Sequence, residues 1–252
     1  MNRDTSRDDQ YARGQMDTPE LTDGEFHELK KSPNNNFLLK GLAGTLRTRL
    51  PAHCATHIDA AVFGDADAAD SLTVACPNEY RGALAVAFWN CGVATPAFRA
   101  VLTSVWDHDH RYLIKAARTR GRLQAMFRSA DILNPVLPDV MSVWRGTIGL
   151  PRSRAMRGIA WSLDRDTACW FAMRYAEFKS RPMVLRAQIP ASAVALYHDK
   201  RDEREIVTFE VHHAVIDGGE HDWREGAKRR QNQTMAKQEE MLAHYRQRLS
   251  AL

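Results

Sequence analysis

An α+β fold is predicted for this chain by three observations. Apolar residues recur at helical spacing through most of the stretch before residue 130. From residue 140 the chain instead breaks into short apolar segments bounded by Gly, Pro or charged residues. Beyond Gly218-Gly219, a polar stretch with a thin apolar stripe (Met235, Leu242, Tyr245, Leu249) reads as one last helix. The plan is a helical half, a small, mostly antiparallel β half and a C-terminal helix.

Taken in order, residues 1–35 read as a flexible polar arm, with a short helix over 21–31 capped by Thr22. Leu38, Leu39, Leu42, Leu46 and Leu50 place an amphipathic helix over 37–50, ended by Pro51. Residues 52–72 predict a helix and then a loop at Gly64-Asp65, and 72–76 a short strand. A helix apolar nearly all round is expected over 80–90, and another from Thr95-Pro96 to about Trp106. The stretch 111–128 carries six basic residues, no acidic ones and an apolar face, and Asn134-Pro135 closes the helical half. Strands follow over 140–146 and 159–163, separated by a basic loop. Asp164 is the N-cap of a helix over 165–178, with Ala168, Phe171, Ala172 and Tyr175 on its apolar face. Further strands are expected over 183–189 and 205–211, with a turn over 190–195. The domain layout is an arm (1–35), a body (36–222, helical to 139 and β-rich from 140) and a helix (223–252).

Bulk properties narrow the class of protein without choosing one. At 252 residues, 44% hydrophobic and 26% charged, the chain has globular composition. A net charge of +4 and a pI near 8.9 are compatible with a nucleotide or nucleic-acid ligand. No apolar run reaches the roughly 20 residues of a membrane span, and the N-terminus lacks a secretory apolar core. The expected location is therefore cytoplasmic, with Cys54, Cys76, Cys91 and Cys169 as reduced, buried thiols.

Chemistry concentrates between residues 143 and 207. Arg145, in Val143-Trp144-Arg145-Gly146, is an arginine in an apolar strand and needs a carboxylate or phosphate partner. Gly146 beside it permits close backbone approach. A structural Arg–Glu pair, or an edge arginine facing water, is the other reading. Ser162, in Gly158-Ile159-Ala160-Trp161-Ser162, is placed to orient a carboxylate, or merely fills the turn before the helix. Glu203 and Glu205, one residue apart, project to the same side, and two close carboxylates push their pKa values apart. The alternative is a solvated acidic loop, but Ile206-Val207 directly after Glu205 places it where the loop meets the core.

In order and context these three elements resemble the Arg–Ser–Glu clade of ADP-ribosyltransferases, over roughly residues 140–210 and in the manner of phage, prophage or toxin-like members. The family's Ser-Thr-Ser strand is matched only at its last position, because Ala160 stands where its leading serine falls. The resemblance implies a split β-sheet packed on the helical region, NAD as a substrate and no metal. It implies NAD binding by Arg145, Gly146, Ser162 and Phe171, with Glu205 as the catalytic glutamate and Glu203 serving the acceptor. Tyr197 and Arg201, in the loop before Glu203, would meet that acceptor. It is a macromolecule, protein arginine or nucleic acid, and a toxin-like member would also meet an antitoxin or inhibitor.

Two other functions remain open on the sequence. Water as acceptor makes the same site an NAD glycohydrolase. A non-catalytic nucleic-acid- or partner-binding protein would use the basic stretch 111–128 and the tail residues Arg224, Lys228, Arg229 and Arg230. His53-Cys54 with His57, and Asp107-His108-Asp109-His110, have metal-ligand character but no paired second half. Gly-x-Gly-x-x-Gly and P-loop patterns are absent.

Overall fold

Six helices build the first half of the described chain: α1 (Asn35–Arg49), α2 (Ala55–Val62), α3 (Ala66–Ala75), α4 (Asn78–Asn90), α5 (Thr95–Ala117) and α6 (Arg120–Ser129). The computed structural model describes residues 35–176, 181–199 and 201–250. The arm and the helix expected over 21–31 lie outside them, except for Asn35, which opens α1. Helix α3 overturns the strand expected over 72–76. Asp65 caps it by accepting from the Ala68 N–H, and the alanine-rich start carries Leu72-Thr73-Val74 on as helix despite their β propensity. Helix α5 runs well past Trp106, bending at Asp109 (φ −141°, ψ 34°). The bend is pinned from α4, where Arg81 donates to Asp109 at 2.7 Å and to the carbonyls of Cys76 and Val74. The basic stretch is therefore two helices, broken at Arg118 with Thr119 capping α6.

A six-stranded open sheet follows, built from β1 (Val140–Ile148), β2 (Ala160–Ser162), β3 (Pro182–Pro190), β4 (Val194–His198), β5 (Glu205–Thr208) and β6 (Val215–Ile216). Its order is β4-β5-β2-β1-β3-β6 and every neighbouring pair is antiparallel. The sequence reading lacked both edge strands, β4 and β6. Between β1 and β2 lies α7 (Arg152–Met156), inside the expected basic loop. Helix α8 (Arg165–Met173) starts where predicted, its Asp164 cap accepting from the N–H groups of Asp166 and Thr167, but ends earlier than expected. Of its expected apolar face only Ala168 and Ala172 are buried, joined by Cys169, while Phe171 is half-buried and Tyr175 exposed.

The two faces of the sheet are covered differently. On one, Val143, Trp161, Leu185 and Ile206 pack with Ala155 of α7 and with Ala214. On the other, Leu196 and Val207 join the core of the helical half, while Val184 packs with α8 and with Trp223 of α9 (Glu220–Ser250). Asp217 ties these parts together, accepting from Trp144 Nε1 at 3.0 Å and Arg165 Nε at 2.7 Å, while its carbonyl accepts from Trp223 Nε1. Beyond Arg230 the side chains of α9 are exposed through Arg248, Met235, Leu242 and Tyr245 included. No described helix is long and apolar enough to cross a membrane. Three of the four cysteines are buried and Cys91 is half-buried; burial pushes the Cys76 thiol up to about 12.

Candidate active site

Strand register brings the predicted residues together. Trp144 faces Ser162 across β1 and β2, Ser162 faces Glu205 across β2 and β5, and Glu205 faces His198 across β5 and β4. Residues paired this way share one face of the sheet, with neighbouring strands about 4.8 Å apart. Trp144↔Ser162 is the single register pair joining β1 to β2, so the strands separate beyond it. The Arg145 guanidinium lies in that separation, where Nη1 donates to the Ala160 carbonyl. A side chain at Gly158 would collide with it. Its Nε is buried with no hydrogen-bond partner, and burial lowers the guanidinium pKa while the Glu205 charge raises it.

Gly146 works differently from the expectation. Its missing Cβ leaves room for the backbone of Ala168 and Ala172, so the close approach is that of α8 against β1, not of a ligand. Ser162 also changes role. Its hydroxyl donates to the Glu203 carbonyl at 2.6 Å and accepts from the Asp164 N–H at 2.9 Å, fixing backbone instead of a carboxylate. It thereby links the capped start of α8 to the glutamate loop. Asp202 (φ 57°) and Arg204 (φ 45°) hold left-handed backbone on either side of Glu203, a strained conformation that persists only where the surroundings enforce it. Here Arg230 and Lys237 grip the Asp202 carboxylate at 2.8 and 2.7 Å, and Asp199 accepts from the Arg204 N–H at 3.0 Å.

Arg201 is the electrostatic centre. Its Nη2 lies 3.3 Å from Glu203 Oε2 and 3.2 Å from Glu205 Oε2, and its Nε lies 3.8 Å from Asp107 Oδ1. Trp106 Nε1, on α5, donates to Glu205 Oε2 at 3.2 Å, and His198 Nε2 stands 3.3 Å from Asp107 Oδ1. Burial raises the pKa of both Glu205 and Glu203, with Arg201 pulling each back down. Burial also lowers the pKa of His110, beside Trp106, and the charge of Arg201 adds to that effect.

Tyr197 lies in β4 instead of the expected loop. Its N–H donates to Asn134 and its hydroxyl to Asp199 at 3.1 Å. With Arg204, Trp144, Leu163 and the 135–138 loop it lines an open groove of about 560 Å³. Phe171 sits on α8, off the register row, in edge contact with Trp170 at 5.0 Å.

Trp106 and His198 were not singled out by the sequence, and Asp107 stood out only within the Asp107-His108-Asp109-His110 group. The polar run Asp107–His110 inside an apolar helix was the one signal for them. Asp107 serves His198 and Arg201, Asp109 serves Arg81, and the described residues contain no metal-ligating group. The basic stretch is partly used internally. Arg120 donates to the carbonyls of Arg157 and Phe209, Arg122 lies over Trp89, and Arg128 pairs with Glu210. Comparison with family models, curated proteins and solved structures finds no match to this chain.

Proposed function

We propose that this chain is an NAD-dependent mono-ADP-ribosyltransferase that releases nicotinamide. The observation that carries the reading is the row Trp144–Ser162–Glu205 across adjacent strands, with the Arg145 guanidinium in the gap beside it. The buried Arg145 Nε lacks a partner, and a phosphate or ribose oxygen is the ligand such a donor fits. Glu205, buried yet held by two donors, has the surroundings to carry negative charge next to a departing nicotinamide.

In this mechanism NAD lies against Arg145, and Glu205 holds the hydroxyl of the nicotinamide-bearing ribose. The C1′–N bond breaks, nicotinamide leaves with the electron pair, and ionised Glu205 stabilises the oxocarbenium ion. An acceptor atom then bonds C1′ and gives its proton to Glu203. Arg201, which now bridges both glutamates, must yield one of them when substrates enter.

Calorimetric titration with NAD tests the binding half. Saturable binding by the wild type, weakened tenfold or more in Arg145→Ala, is expected. Absence of NAD binding by the wild type would sink the reading.

A further inference from the structure

Resting on that reading, we propose that the acceptor is a nucleic acid presenting an unpaired base, received on the surface formed by Trp170 and Phe171 of α8 with Arg174 and Tyr175 just past its end. Arg174 lies 4.7 Å over the Trp170 ring, 5.8 Å over Phe171 and 4.6 Å over Tyr175, and donates to the Tyr175 hydroxyl at 2.7 Å. Trp170 and Phe171 are half-buried while Arg174 and Tyr175 are exposed, so the cluster is an outward-facing platform. A guanidinium set over several aromatic rings, with Trp170 and Phe171 edge to face, offers stacking and cation–π contacts to single-stranded bases.

Charge selects the same class of acceptor. The carboxylates of the glutamate loop are already matched: Asp202 by Arg230 and Lys237, Glu203 and Glu205 by Arg201. Arg174 is held by the three rings and the Tyr175 hydroxyl, and among the described residues no carboxylate pairs with it. A protein arginine would have to approach Glu203 against the guanidinium groups of Arg201, 3.3 Å from its carboxylate, and of Arg230 on the neighbouring Asp202. A phosphodiester is drawn by them instead. A base stacked on the platform offers an N–H nitrogen; once nicotinamide has left with the electron pair, the nitrogen bonds C1′ of the oxocarbenium ion and its proton passes to Glu203.

The test supplies labelled NAD with single-stranded DNA, single-stranded RNA, or an arginine-rich peptide, scoring nicotinamide release and acceptor label separately. Label on one or both oligonucleotides is expected, the two arms separating DNA from RNA. Oligonucleotide label per nicotinamide released should fall at least tenfold in Trp170→Ala/Arg174→Gln and return in Trp170→Phe with Arg174 retained, since a phenyl ring still stacks. Label on the peptide with both oligonucleotides blank overturns this inference and leaves the transferase reading standing. No nicotinamide release with any acceptor overturns both. Oligonucleotide labelling untouched by the double variant overturns the platform.

Discussion

In the helical half, Phe88, Leu102, Leu113 and Met126 belong to one continuous core and are essentially inaccessible. In the sheet half, burial is divided between two smaller clusters, and Thr147, Ser162, Thr167, His198, Glu205 and Thr208 are buried polar residues. The helical half has buried polar groups too, but Thr73 bonds back to its own helix at the Ala69 carbonyl, while Ser104, Asp107 and Asp109 sit on α5, the helix that reaches Glu205. Polarity is thus concentrated at the seam between the halves. One region supplies packing free energy. The other holds charges that burial disfavours, as expected where a site is shaped by chemistry more than by stability.

Substitutions that separate stability from chemistry sharpen this contrast. The largest stability effect is expected in the helical core: Phe88→Ala should cost about 3–5 kcal/mol in denaturant titration, with nicotinamide release per folded molecule little changed. Arg81→Met leaves Asp109 buried and unpaired at the α5 bend and should cost about 3 kcal/mol. Because that bend follows Trp106 and Asp107, Arg81→Met should also slow turnover. Equal activity per folded molecule would show that the bend does not position the site.

Glu205→Gln should do the reverse, lowering kcat by about 10²–10³ without loss of stability. The sign follows from burial. A folded-state pKa above the ordinary carboxylate value means that Glu205 favours the folded state in acid, a contribution lost as pH rises through that raised pKa. Removing its charge at neutral pH should then raise stability by about 0.5–2 kcal/mol. A marked fall in melting temperature would contradict this account of the site.

Trp106→Phe removes one donor from the Glu205 carboxylate and should lower kcat about tenfold, the worth of about one hydrogen bond. Activity requires ionised Glu205, so it should fall on the acid side of a pH–rate profile. Losing a donor that favours the charged form should move that limb to higher pH. The smallest effect is expected from Asp164→Ala, about 1 kcal/mol for the lost cap of α8.

Much of the fold was legible because its signals are local. Leucine spacing found α1, Asp164 announced α8, and Gly218-Gly219 marked the passage to α9. The failures came where tertiary context overrides local preference. Leu72-Thr73-Val74 has strand composition but continues a capped helix. β4 is a short edge strand directly after a Pro- and Ala-rich turn, and β6 is two residues long. The site was legible as a list, not as a geometry. Arg145, Ser162 and Glu205 stood out as polar residues in apolar segments. That Ser162 would hold a backbone carbonyl, that Gly146 would seat a helix, and that Trp106 would reach Glu205 across 99 positions of chain all depend on strand register and helix docking. Neither is written in any single segment. The outward-facing Phe171 and Tyr175 were mistaken for core because α8 turns its smaller face, Ala168-Cys169 and Ala172, to the sheet.

Nicotinamide release from NAD, followed for wild type, Arg145→Ala and Glu205→Gln in parallel with their melting curves, tests the proposed NAD site most directly. A single NAD site requires measurable release by the wild type, and loss of at least about a hundredfold in Glu205→Gln while its melting curve stays at or above that of the wild type. Release that is unaffected by either substitution, or absent from the wild type, would contradict it.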